Sequence, residues 1–86
     1  MIDARHAYDT LGRAIAQLEE PSFAQDQGFI GEATQIRQLR TAHARAFALK
    51  PTDIVDLGRL IADYFSPSSE VAAWGEALSK AVRSRP

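Results

Sequence analysis

The chain has 86 residues, ten basic and eleven acidic side chains, a formal charge of −1 and no cysteine. One small domain with a thin core fits this length, since a domain of this size buries only roughly 60–65% of its unfolded surface. The composition excludes disulfides, thiol chemistry and cysteine metal sites, and a near-neutral balance argues against generic nucleic-acid binding, which needs a clustered basic surface.

The first segment, about residues 3–19, carries Ala4, Tyr8, Leu11, Ile15 and Leu18 at spacings that draw one stripe down a helix. Asp9 and Arg13 stand four apart on its polar side and are expected to pair. Pro21 is expected to end this helix. The stretch PSFAQDQG, residues 21–28, reads either as a loop or as a poor first turn or two of the next helix.

A second helix is expected over about 29–49. Ile30, Ala33, Ile36, Leu39, His43 and Ala46 share a broad apolar face, with Phe47 beside it. Arg37, Arg40 and Arg45 are spread elsewhere around the wheel. Pro51 stops this helix, because the residue before proline avoids the helical region.

The third helix, about 53–65, is the most apolar. Eight of the fourteen residues of TDIVDLGRLIADYF are Ile, Val, Leu, Ala, Tyr or Phe. Ile54, Leu57, Ile61 and Tyr64/Phe65 form its stripe and Leu60 widens it, so the helix can contact two neighbours. Thr52 or Asp53 is expected to cap it. Gly58 costs about 1 kcal/mol of helix propensity and is expected to admit a close neighbour. The charges Asp56, Arg59 and Asp63 fall almost entirely on one side.

Ser66-Pro67 signals the start of a fourth helix, about 67–83. Its apolar face holds Val71, Trp74, Leu78 and Ala81/Val82, and Glu76 and Lys80 are placed to pair. The fold expected is therefore all-α, a single domain of four helices over 1–86. No apolar run approaches the roughly 20 residues of a membrane span, and MIDARHAYDTLGRA has charges where a signal peptide needs an apolar core. The reading is a cytoplasmic protein without a membrane segment.

Chemistry-bearing constellations are scarce. His6 and His43 lack metal-ligand spacing, and His43, on an apolar face, reads as a boundary histidine bonded to backbone. No Gly-x-Ser-x-Gly elbow is present, and Gly28-x-x-Gly31 comes after no strand, so it is not a phosphate loop. No cofactor, metal or catalytic residue is expected. The segment after Ser66-Pro67 makes a helix-turn-helix geometrically open, yet SSEVAAWGEAL offers no Arg, Lys, Asn or Gln for base edges. Trp74 reads as core.

The order of an amphipathic first helix, Pro21-x-Phe23, Ile36-Arg37, Leu57-Gly58, Tyr64-Phe65 and EVAAWGEALSKAV resembles the small helical immunity proteins that neutralise type VI secretion toxins. The nearest resemblance is to the immunity family for NAD(P)+-glycohydrolase effectors. It spans almost the whole chain. It implies a non-enzymatic, antitoxin-like inhibitor of interbacterial competition, which binds a cognate toxin domain and blocks its nucleotide-substrate site. The target could equally be a nucleotide pyrophosphokinase or an ADP-ribosyltransferase. Such a pocket is lined with Arg, Lys and helix N-termini, and an acidic stripe on a rigid helix can cover it. The partner-binding residues expected on this physical ground are Asp53, Asp56, Arg59 and Asp63, with Glu19, Glu20 and Gln35 at the rim. A small DNA-binding regulator and an oligomeric scaffold are the alternatives, and both a homo-oligomer and a toxin–immunity heteromer stay open.

Overall fold

The computed structural model describes residues 3–84, and the chain is all-α. Helix α1 is Ala4–Ala16, prolonged by a 3-10 turn at Gln17–Glu19. Helix α2 is Pro21–Asp26, α3 is Ala33–Arg45 with a 3-10 turn at Ala46–Ala48, α4 is Pro51–Tyr64 and α5 is Glu70–Arg83. The four longer helices close a ring: α1 packs on α3, α3 on α4, α4 on α5 and α5 back on α1. Short α2 packs on the end of α1.

Each long helix sends its stripe into one core. Leu11 and Ile15 of α1, Leu39 of α3, Leu57 of α4, and Val71 and Leu78 of α5 are its most enclosed large side chains. Truncating any of these leucines to alanine removes about 2–5 kcal/mol, the sum of lost transfer energy and the cavity left behind. Most of the expected stripe residues of the first, third and fourth helices are buried in α1, α4 and α5. Trp74, expected in the core, is only half-buried at its edge, where Gly75 takes the enclosed position beside Ile61.

Several element starts differ from the sequence expectation. Pro21 opens a helix instead of ending one: it occupies the first turn of α2, where its missing N–H goes unneeded. The next helix begins at Ala33 and not near Phe29. Gly28 has a left-handed backbone (φ 65°), and a methyl there would lie 2.7 Å from Ser66 Cβ, so only glycine fits. From that turn the chain crosses the α4–α5 junction. Ser66 N–H donates to Gln27 C=O (3.2 Å) and Ile30 N–H to Tyr64 C=O (3.0 Å). Backbone committed to these bonds is unavailable to a helix. Ile30 is left 76% exposed, off the core face assigned to it, and Phe47 is 66% exposed.

Helix α4 begins at Pro51, one turn position before the expected caps. Lys50 is its N-cap and makes no side-chain cap bond, while Thr52 and Asp53 sit inside the first turn. Lys50 is extended (ψ 135°), as a residue before proline should be. Leu49 ends the preceding 3-10 turn in the left-handed region (φ 58°) and is held there by a buried side chain. Helix α5 begins at Glu70, not Pro67. Its N-cap is Ser69, whose Oγ accepts from Ala72 N–H (3.1 Å). Residues 66–69 form a turn closed by Ser69 N–H to Ser66 C=O (3.0 Å).

A second cap reaches α5 from far along the chain. The Gln27 side chain is buried, and its Oε1 accepts from Val71 N–H (3.0 Å), 44 residues away. Two of the orphan donors at the N-terminus of α5 are thus satisfied by side chains, one local and one remote. Glu76 and Lys80 pair at 3.3 Å as expected. Arg13 does not pair with Asp9: its Nη2 donates weakly to Thr10 Oγ1 (3.4 Å).

Candidate functional site

Helix α4 is the element with most to offer a partner. Its stripe Ile54, Leu57 and Ile61 is buried, which fixes its rotation and leaves Thr52, Val55, Asp56, Arg59, Ala62 and Asp63 exposed. Asp56, Arg59 and Asp63 make no ion pair with any other described residue. Asp53 is half-buried in the first turn of α4, where a carboxylate complements the positive end of the helix dipole.

A groove runs along each flank of α4. The one shared with α3 has a volume of about 530 Å³, and Asp56 is its single carboxylate among three guanidiniums, Arg37, Arg45 and Arg59. The Asp56 end of the acidic stripe drawn from the α4 sequence is therefore embedded in a mixed-sign surface, whereas Asp63 lies outside this groove. Arg37 and Arg45 reach it from α3, a neighbour that the periodicity of α4 does not reveal. The groove shared with α5 is larger, about 730 Å³, and is lined mainly by apolar and small residues, including Val55, Gly58, Ala62, Ala72 and Gly75. Arg59 stands on the ridge between the two grooves and lines both.

The three outlying residues assigned to the rim have local partners or lie apart. Glu19 Oε1 pairs with Arg40 Nη2 at 3.0 Å and ties the end of α1 to α3. Glu20 is exposed on the extended link into α2. Gln35 Oε1 accepts from Glu32 N–H (2.7 Å) and so caps the start of α3. The α3–α4 groove includes none of the three. Val55, which is 52% exposed, was not among the expected contacts. Its signal was readable: it is an aliphatic residue standing outside the stripe of its own helix.

His43 is structural. The His43 ring stacks on Tyr8 (centroids 3.9 Å, 17° between planes). Its Nε2–H donates to Tyr8 C=O (2.8 Å), and the Tyr8 hydroxyl donates back to His43 C=O. Burial pushes the Tyr8 phenol above its ordinary pKa, and Asp9 adds to this while Arg5 opposes it. Gly12 provides the space: a methyl there would lie 2.7 Å from His43 Cε1. Arg5 covers the outer side, with Nη2 donating to Phe47 C=O (2.8 Å) and the guanidinium over the Phe47 ring at 4.7 Å. That accounts for Phe47 at the surface. His6 meets the edge of half-buried Trp74 at 5.5 Å.

Among the described residues no group of three or more His, Cys, Asp or Glu could hold a metal ion, and no helix is long and apolar enough to cross a membrane. Compared with family models, with curated proteins and with solved structures, the chain matches none.

Proposed function

We propose that this protein is a non-enzymatic binding domain of the immunity type, which engages a cognate secreted toxin domain in the cytoplasm and blocks its nucleotide-substrate site. The observation that carries the reading is the exposed side of α4, where Asp56 and Asp63 stand on a rigid, core-anchored helix without an ion pair to any other described residue. Unpaired charges on a fixed scaffold lose little conformational freedom on binding and steer association with a surface of opposite sign. The guanidiniums beside Asp56 refine the match. The partner surface suited to this face carries both signs, a basic patch for Asp56 and Asp63 and carboxylates for Arg37 and Arg45. A phosphate-binding cleft rimmed by acidic residues has that character. The type VI assignment and the class of toxin, whether NAD(P)+ hydrolase, pyrophosphokinase or ADP-ribosyltransferase, rest on the sequence resemblance.

The test takes the product of the open reading frame beside this chain and expresses it in the cytoplasm of a sensitive host, where the proposal requires it to be toxic. Co-expression of the wild-type chain should restore growth. Asp56→Lys combined with Asp63→Lys should weaken the complex by tenfold or more, the equivalent of about 1.4 kcal/mol, with the circular dichroism spectrum unchanged. Undiminished neutralisation by a folded double variant would remove α4 from the interface. Three guanidiniums lining one groove also favour a second reading, a phosphate-backbone contact. Salt-dependent retardation of duplex DNA that is lost in Arg37→Ala plus Arg45→Ala would establish that reading instead.

A further inference from the structure

We propose that the groove between α4 and α5 is covered by a second copy of this chain, the two helical hairpins being related by a two-fold axis parallel to the helices. The groove, of about 730 Å³, is apolar along its length, and its charged residues, Arg59, Glu76 and Arg83, are confined to the exposed edges. The packing of α4 on α5 fixes which residues stand level. A methyl on Gly58 would meet Ser79 Oγ at 3.9 Å, and one on Gly75 would meet Ile61 Cδ1 at 3.1 Å. The helices are therefore antiparallel, and Arg59 and Glu76 lie opposite each other between these two contacts, on the two rims of one groove.

This arrangement is self-complementary for one choice of axis. A two-fold parallel to the helices lays α4 of one copy over α5 of the other and keeps every residue at its own level. Arg59 then faces Glu76 of the second copy, and the same contact recurs across the axis, as an isologous interface requires. Exposed Val55 arrives over the stretch from Ser79 to Val82, where small Ser79 leaves room for it. A two-fold perpendicular to the helices would instead set α4 on α4 and, with its axis at the level of Arg59 and Glu76 at the middle of the groove, would put Arg59 against Arg59 and Glu76 against Glu76. The charges select the first.

The area sets the strength. Helices of fourteen residues are about 21 Å long and about 10 Å wide, so the paired face offers on the order of 400 Å² in projection. That is about half of what each side of a standard stable interface buries. The dimer is accordingly a weak one, in the micromolar range or above. It leaves Asp56 and Asp63 outside the contact, because neither lines this groove. The proposal is independent of what those carboxylates bind.

Sedimentation equilibrium of the intact chain from about 10 µM to about 1 mM, a range that brackets weak association, tests it. The mass should rise from 9.4 kDa toward twice that value. Val55→Glu should weaken association at least tenfold without loss of helical signal. Arg59→Glu and Glu76→Arg should each weaken it, and the double reversal should recover most of the loss, because the contact is reciprocal. A monomer throughout the range would overturn the proposal. So would a dimer indifferent to Val55→Glu, or a double reversal no tighter than the single variants, since either would place the interface, or the groove's occupant, elsewhere.

Discussion

Gly12 and Gly58 are half-buried positions in two helices and carry opposite expectations. At Gly12 an added methyl would press into the His43 ring, which the Tyr8 stack and the Nε2 bond hold in place. Overpacking of this kind costs about 1–3 kcal/mol, and a lost buried hydrogen bond about 1 kcal/mol more. Against this stands the gain of about 1 kcal/mol from replacing glycine in a helix. Gly12→Ala should therefore destabilise the protein, by about 1–3 kcal/mol in urea unfolding. At Gly58 the same methyl meets Ser79 at an ordinary contact distance. The helix was not opened there for a neighbour, contrary to the sequence expectation, and Gly75 is the closer crossing. Gly58→Ala should stabilise by about 0.5–1 kcal/mol, measured at low micromolar concentration. Tyr8 gives the chain an alkaline limit. Its phenol holds its proton more tightly folded than unfolded, so its contribution is complete below the ordinary value of 10.0 and is lost as pH climbs through the raised folded value. Tyr8→Phe should cost about 1 kcal/mol at neutral pH and flatten the fall in stability above about pH 9–10. An unchanged alkaline slope in the variant would show that the phenol is not its source.

The start of α5 depends on a side chain from another element. Gln27→Ala leaves the Val71 N–H buried without its acceptor, a loss of about 1–3 kcal/mol. The amides of Val71 and its neighbours should exchange with solvent faster than those at the centre of α5. Equal exchange in variant and wild type would mean that water takes the place of Oε1 at no cost. The same remote bond explains where sequence reading succeeds and where it fails. The stripes of α1, α4 and α5 repeat over three or four turns, and a burial pattern that long is legible in one dimension. Helix starts at residues 33 and 70 are set instead by the crossing of 27–30 over 64–71, and no window of local sequence contains both sides of that crossing. The surface obeys the same rule. Exposure of Asp56, Arg59 and Asp63 is fixed by the α4 stripe alone. The arginines around Asp56 come from α3, and the large groove belongs to α4 and α5 jointly, so neither is a property of one segment. Glu19 and Gln35 resemble free surface groups in sequence and turn out to hold Arg40 and the α3 backbone.

At the scale of the molecule, α4 divides its exposed surface between its two neighbours. Toward α3 it presents Asp56 among arginines, and toward α5 it presents Val55 and Ala62. The two proposed contacts, with a toxin domain and with a second copy, would therefore use different sides of α4. The Asp56/Asp63 double reversal should leave the proposed self-association unaltered, and Val55→Glu should leave affinity for the proposed toxin partner unaltered. Arg59 borders both grooves and is the residue through which the two contacts could influence each other directly. The Gln27 cap also bears on how the chain acquires its shape. A ring of helices built only from sequence neighbours could assemble pairwise, each hairpin closing by itself on the fast timescale of local contacts. Here the turn from α4 into α5 borrows an acceptor, two backbone bonds and a glycine contact from residues 27–30. The carboxy-terminal hairpin is thus incomplete until the first third of the chain is in place. Closing that long loop should therefore couple the carboxy-terminal hairpin to the rest of the chain, and Gln27→Ala should lower the cooperativity of urea unfolding.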